Sequence, residues 1–227
     1  MTILELLAAD ASIGDDVDRI VVVAPHPDDE VLACGLLLAA AVERGLAVRV
    51  IAVTDGEAAY PGHDPDELAR LRRREQVAAL AELGIGADAV HRVGLPDGRV
   101  GDHLATLADA IVAHCSSGSL LVAPSVHDWH PDHEACGEAV RRLPSTSCAV
   151  RWSSLFWAHH HPERLVSSGP RLLRLEGTER QRAARQRAVA QHRSQFRHPT
   201  GRGAPILNVD RISHLSQPFE TYVEPGQ

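Results

Sequence analysis

The sequence predicts an α/β fold in which a mostly parallel sheet is covered by helices on both faces. Two observations predict it. Apolar runs of strand length alternate with longer amphipathic stretches along most of the 227 residues, the pattern of repeated strand–helix–strand units. The first such run, Arg19-Ile-Val-Val-Val-Ala24, is continuous rather than alternating, as a parallel strand covered on both faces requires.

The elements follow in order. After the strand over 19–24, residues Glu30 to Arg44 have helical character, with Gly45 as the C-terminal stop. Ala47 to Thr54 is a second strand. Asp66 to Leu83 has helical spacing between Asp64-Pro65 and Gly84. Ala89 to Gly94 gives a third strand and Asp102 to His114 a helix. Leu120 to Ala123 is a fourth strand, followed by a helix over Asp132 to Leu143 with Pro131 at its start. Ala149 to Trp157 alternates in part and gives a further strand, and Glu179 to Gln195 a strongly charged helix. From His198 onward little periodicity remains.

No internal repeat or linker interrupts the chain, so residues 1–227 are expected to form a single domain. The 23 basic residues are all Arg, which excludes a phosphate-loop lysine, a Schiff-base lysine and a pyridoxal phosphate anchor. With 30 acidic residues the net charge is −7, which disfavours a nucleic-acid partner. Fourteen histidines turn attention to metal or acid–base chemistry. Cys34, Cys115, Cys136 and Cys148 form no C-x-x-C pair and lie in apolar segments, so buried thiols in a reducing compartment are expected. The start, MTILELLAADASIGDD, lacks the early basic charge of a signal peptide, and no apolar run is long enough to span a bilayer. The expectation is a cytoplasmic protein with no membrane partner, with a homo-oligomer left open.

In parallel sheets ligands collect beyond the carboxyl ends of the strands. The first strand runs into Pro25-His26-Pro27-Asp28-Asp29-Glu30. A dinucleotide fold would have glycines there, and three carboxylates would repel a phosphate. A divalent cation suits them better. His26 and Asp29, three apart on a turn entering a helix, can converge on one ion, while Asp28 can face a bound water without ligating. An acidic helix cap is the plain alternative, and the motif alone leaves the two even. Glu30 reads as a first-turn residue favoured by the helix dipole.

The fourth strand runs into His127-Asp128-Trp129-His130-Pro131-Asp132-His133, so both clusters fall on one rim of the sheet. One or both of His130 and His133 can complete a catalytic zinc site of three protein ligands and one water. Asp132 can orient an imidazole.

P-H-P-D-D-E followed about a hundred residues later by H-P-D-H resembles the LmbE-like, or PIG-L, family of zinc-dependent N-deacetylases. Smaller features extend the resemblance: Thr54-Asp55-Gly56-Glu57, Arg72-x-x-Glu75 and Leu95-Pro96-Asp97-Gly98. The resemblance implies a Rossmann-like three-layer sandwich and hydrolysis of an N-acyl group, usually acetyl on an amino-sugar-type small molecule, by attack of a metal-bound water. It implies His26, Asp29 and His133 as zinc ligands (Fe2+ being possible on the same donors), Asp28 as general base and His130 as acid or transition-state stabiliser. Asp132 would be the orienting partner of His130. Arg72 and Asp97 lie where relatives contact sugar hydroxyls. Two rivals stand beside this reading: an amidase acting on a larger thiol or sugar conjugate, and a non-catalytic zinc or sugar-binding protein.

Before the second motif the chain has His127-Asp128-Trp129, where some relatives place a tyrosine; Asp128 either reaches the site or caps its loop, and the cap is favoured. In His159-His160-His161, a solvated loop is the plain reading and His160 the choice for substrate contact. The arginines of the helix over 179–193 suggest a solvated or subunit-facing surface rather than an anion site, since only 4% of the chain is aromatic.

Overall fold

The structure is a computed structural model, described here for residues 17–148, 150–154, 156, 172–199, 201, 203–208 and 212–223. The expected strands and helices occur in the expected order. They are β1 (Arg19–Ala24), α1 (Asp29–Glu43), β2 (Ala47–Ala52), α2 (Pro65–Glu82), β3 (Val90–Arg92), α3 (Leu104–Val112), β4 (Ser119–Pro124), α4 (Pro131–Arg141) and β5 (Val150–Ser154). Local sequence accounts for several of the boundaries. Asp64 accepts from the amides of Asp66 and Glu67 and so caps α2, with Pro65 in its first turn. Gly45, just past α1, takes φ 73°, a conformation that glycine adopts without strain. Residues 100–103 form a 3-10 turn ahead of α3, which shortens the helix expected over 102–114.

Among the described residues seven strands form one sheet in the order β3-β2-β1-β4-β5-β7-β6. β1 to β5 are parallel in their pairings, with Ile20 opposite both Val48 and Leu120. The direction of winding reverses between β1 and β4, and at such a switch point the loops separate and leave a crevice beyond the strand ends. Two apolar layers flank the sheet. One face carries α1 and α2, with Leu32, Leu36, Leu37 and Leu80 buried against Ile20, Val22 and Leu120. The other carries α3 and α4, with Leu107, Ile111, Cys136 and Ala139 against Val21, Val23 and Ile51. This is the three-layer sandwich expected. Cys34, Cys136 and Cys148 are buried and Cys115 half-buried.

The C-terminal third departs from the sequence expectations. Two further strands, β6 (Leu172–Glu176) and β7 (Phe219–Val223), close the sheet edge, β7 antiparallel to β5 and β6 antiparallel to β7. The charged helix is shorter than expected: α5 (Glu179–Val189), with a capping box between Thr178 and Gln181, stops before a separate turn α6 (Arg193–Phe196). Nor is α5 simply a solvated surface. It lies against α1 and α2, and Arg185 is buried, donating to the carbonyls of Leu215 and Gln217 beside Glu220.

The Glu220 carboxylate accepts from the amides of Leu36 (2.7 Å) and Leu37 (3.0 Å), inside the body of α1. These are N–H groups that an uninterrupted helix commits to carbonyls four residues back. Gly35 lies beside the contact, where an added Cβ would stand 2.7 Å from Arg185 Cγ. The last strand of the sheet is thereby keyed into the helix that starts at Asp29. Among the described residues no helix is long and apolar enough to cross a membrane.

Candidate metal centre

Beyond the ends of β1 and β4, the Pro25–Glu30 turn and the first turn of α4 face each other across the switch point. Asp28 stands at the N-cap of α1, yet its side chain makes no capping hydrogen bond. The plain reading of this acid as a helix cap therefore does not hold. The neighbouring carboxylate of Asp29 turns back to accept from the backbone N–H of His26 (2.9 Å). The same oxygen, Oδ2, lies 3.2 Å from His26 Nδ1 and 3.1 Å from His133 Nε2. His133 arrives there because Pro131 starts α4 with His130 as its cap, which points the first turn into the crevice.

The donor set fits a divalent cation. Nitrogen and oxygen atoms bonded tetrahedrally to one zinc ion at 2.0–2.2 Å stand about 3.3–3.5 Å from one another, close to the contacts that Asp29 makes with both rings. His133 Nε2 is buried and makes no hydrogen bond, although a carboxylate oxygen is 3.1 Å away. Proximity without donor geometry is how two atoms aimed at a third point are arranged. Nitrogen atoms of His26, His130 and His133 also come within 4.8 Å of one another.

The surroundings demand positive charge. Burial alone would lower the pKa of His26, but Asp132, Asp29 and Asp97 raise it well above the usual imidazole range. His133 is likewise raised, to about 9, by Asp29 and Asp128 against the effect of burial. Asp29, despite burial, is held well below the carboxylate range by the two rings. Either protons or a cation satisfy such a cluster. Asp28 differs from its neighbour: burial, offset in part by Arg72 and reinforced by Asp29, pushes it up to about 6. Burial together with His26 and His133 depresses His130 to about 4. Its Nδ1 accepts from the backbone N–H of Asp132 (3.3 Å), so the proton of the neutral ring sits on Nε2.

Two residues stand elsewhere than the sequence suggested. The Asp132 carboxylate faces His26 rather than serving as partner to His130: Oδ2 lies 3.2 Å from His26 Nε2 and accepts from the N–H of Gly98 (2.7 Å), and Oδ1 accepts from that of Val100 (3.1 Å). Backbone donors from the loop after β3 fix that carboxylate in place. Asp97, expected toward a sugar, has Oδ1 3.2 Å from the same nitrogen of His26 and Oδ2 accepting from Ala58 N–H. Glu30, expected as a helix-dipole acid, is fully buried, and burial raises its carboxyl to about 8.

Arg72 is buried at the edge of the cluster. Its guanidinium donates to the carbonyl of Gly56 (2.9 Å) and stands 3.5 Å from Asp28 Oδ2. With the Gln195 amide turned oxygen-inward, that oxygen accepts from Arg72 Nε at 2.8 Å. Glu75, the second residue of the Arg72-x-x-Glu75 pair, holds Ser194 by its N–H (2.9 Å) and hydroxyl (2.6 Å). Both residues of the pair thus dock α6 onto α2. His160 lies outside the described residues.

A cavity of about 300 Å3 opens on the cluster, with His26, Asp28, Asp29, Arg72 and His130 on one side and Leu32, Phe156, Ile206 and Leu207 among its apolar walls. From the sequence none of these four carries a role in the site, and Ile206 and Leu207 lie beyond the readable periodicity. Asp128, favoured from the sequence as a loop cap over a residue reaching the site, does reach it: its carboxylate is 2.7 Å from His133 Nδ1.

The profile described as PIG-L: GlcNAc-PI de-N-acetylase matches residues 21–143, more than half of the chain and all of the cluster. The chain belongs to the PIG-L family. Among curated proteins it is similar to the probable N-acetyl-alpha-D-glucosaminyl L-malate deacetylase 2 of Bacillus subtilis, with 30% identity over 134 residues, 55% of this chain and 60% of that protein. It is also similar to the 1D-myo-inositol 2-acetamido-2-deoxy-alpha-D-glucopyranoside deacetylase of Mycolicibacterium vanbaalenii, with 32% identity over 168 residues, 61% of this chain and 58% of that protein. The matches thus span about three-fifths of the length of these relatives. The fold resembles the N,N'-diacetylchitobiose deacetylase of Pyrococcus horikoshii, with TM-score 0.66 over 97% of this chain and 91% of that one at 19% identity.

Proposed function

We propose that this PIG-L family chain, acting as one domain over residues 1–227, is a metal-dependent hydrolase that removes an N-acyl group, acetyl in the first instance, from a small amino-sugar-type substrate. The observation that carries the reading is the convergence of His26 Nδ1, His133 Nε2 and Asp29 Oδ2, with contacts of 3.2 and 3.1 Å, beside an aspartate that caps nothing. A purely structural ion would call for a fourth protein ligand, whereas here Asp28 and His130 face the cavity next to the three donors.

His26, Asp29 and His133 would hold the ion, zinc or, on the same donors, iron(II). When bound, such an ion supplies Lewis acidity toward water and toward an amide carbonyl. Asp28 is the general base: its carboxylate takes a proton from the attacking water as the new C–O bond forms. Arg72 and the walls of the cavity hold this carboxylate in place. His130, with its ring proton on Nε2, donates to the developing oxyanion. As the C–N bond breaks, Asp28, protonated by the first transfer, delivers that proton to the departing amine, leaving a carboxylic acid and a free amino group. Asp132 and Asp97 orient His26 from its far nitrogen. The names of the curated relatives, all deacetylases of glucosaminyl compounds, support the substrate class.

The test is metal analysis of the purified chain joined to an amine-release screen over N-acetylated amino sugars and their conjugates. About one equivalent of zinc or iron per chain and release from at least one amino sugar are expected. Asp28→Asn should keep the metal and lose at least about 100-fold in kcat, the lower range for a general base. Bound metal without amine release from any acylated amine would favour a non-catalytic binding protein instead.

A further inference from the structure

Asp128 is fully buried, five residues ahead of His133 and outside every helix and strand. Its two oxygens have separate duties. Oδ2 stands 2.7 Å from His133 Nδ1. Oδ1 accepts from the backbone N–H of Phe156 at 3.0 Å, just past the end of β5. A deprotonated carboxylate offers only acceptors, so the ring nitrogen facing it must carry the proton. The opposite nitrogen, Nε2, is then left with its lone pair, and Nε2 is the atom near Asp29 Oδ2.

We propose that Asp128 is the positioning residue of the metal centre: it fixes the proton of His133 on Nδ1, so that Nε2 presents a lone pair to the ion, and it ties this ring to the strand end that carries Phe156. The proposal rests on the reading of His133 as a ligand. The loop-cap alternative accounts for the Phe156 contact but not for the one to His133. The same carboxylate reaches the ligand ring and, through Phe156, one wall of the cavity. Metal affinity and substrate fit are therefore linked through one side chain.

Asp128→Asn is the informative variant. The amide is nearly isosteric, but either way round it places a donor against a donor. With its NH2 toward His133, the ring must accept at Nδ1 and carry its proton on Nε2; with its oxygen toward His133, the NH2 opposes the Phe156 N–H. Zinc affinity is measured by competition with a chromogenic chelator. The unfolding midpoint is measured in parallel on the metal-free protein. The expectation for Asp128→Asn is a 10- to 100-fold weaker zinc affinity, the range found when the hydrogen-bond partner of a ligating histidine is removed. In the zinc-loaded protein the Nδ1–H proton resonance of His133, shifted downfield in the parent by the carboxylate, should move upfield in the variant.

A zinc affinity within about twofold of the parent, with only a lower unfolding midpoint, would overturn the proposal and leave Asp128 a loop cap. A parent chain that binds no zinc would overturn the metal reading itself, a different outcome. If Asp128→Asn does not fold, Asp128→Ser is read by the same criteria, since its hydroxyl is too short to bridge both partners.

Discussion

Replacing Glu220 by alanine tests whether the last strand is keyed into the first helix. The carboxylate accepts from Leu36 N–H at 2.7 Å and Leu37 N–H at 3.0 Å, receives the hydroxyl of Tyr222 at 2.8 Å and lies 3.5 Å from buried Arg185 Nη1. Each hydrogen bond to a charged group contributes about 1.5–3 kcal/mol. The two amide bonds alone therefore amount to about 3–6 kcal/mol. Removing one partner of a buried ion pair costs about 3–5 kcal/mol on its own evidence. The two figures describe overlapping losses, since Arg185 keeps the carbonyls of Leu215 and Gln217, so they are not added. The expected loss is about 3–5 kcal/mol, a large part of the roughly 5–15 kcal/mol that stabilises a typical domain. Urea unfolding of parent and variant measures it as a shift in midpoint at unchanged slope. Glu220→Gln, which keeps one acceptor oxygen, should lie between the two. A loss under about 1 kcal/mol for Glu220→Ala would refute the insertion of this carboxylate into α1.

Three further outcomes follow from positions described above. An ideal Cβ on Gly137 would stand 2.6 Å from Pro124 O and 2.9 Å from Val126 N, both backbone, so Gly137→Ala must push α4 off the β4 loop. A loss of about 1–3 kcal/mol is expected, together with weaker zinc binding, because α4 carries His133; an unchanged zinc affinity would show that the ligand turn moves independently of the helix. His192 is fully buried with neither ring nitrogen hydrogen-bonded, and burial, aided by Arg72, lowers its pKa to about 3. The folded state thus resists a proton that the unfolded chain takes up near 6.5, so stability is intact above that pH and is lost as pH falls toward 3; at pH 5 the loss is about 2 kcal/mol. His192→Leu should remove this component, seen as a flatter difference in unfolding free energy between pH 8 and 5, and an unchanged slope would sink it. Arg72→Ala leaves the Gln195 amide and the Gly56 carbonyl without their buried donor, and a loss of about 2–4 kcal/mol is expected, read by thermal or urea unfolding; a change under about 0.5 kcal/mol would contradict the tie between α2 and α6.

The first half of the fold was legible because local and global preferences agree there. β1 is continuous and β-branched, α2 has both its cap and its proline, and α4 begins at a proline; the structure reproduces each within a few residues. The candidate site was legible for the same reason, since strand ends in a parallel sheet place their following loops on one rim. What the sequence hid depends on contacts between distant residues. β6 and β7 are antiparallel edge strands, with Arg174 and Glu176 exposed on one and Glu220 buried on the other, so their residues do not advertise a continuous apolar run. The charged pattern of α5 conceals that Arg185 turns inward to meet a carboxylate 35 residues away. Asp132 reads as a neighbour of two histidines and therefore as their helper. Its true partner, His26, is 106 residues distant, and the amides of Gly98 and Val100 decide its direction.

The tie between Glu220 and Leu36 spans 184 residues of sequence, which has a consequence for synthesis. At about 5–20 residues per second on the ribosome, roughly 10–40 s pass between emergence of the first helix and emergence of the acid that fills its amides. Every donor of the cation cluster leaves the ribosome well before that acid, so the nascent protein carries an early-formed ligand set on a helix still waiting for its lock. Conditions that slow elongation lengthen this interval, and with it the exposure of the unfinished helix to chaperones and proteases.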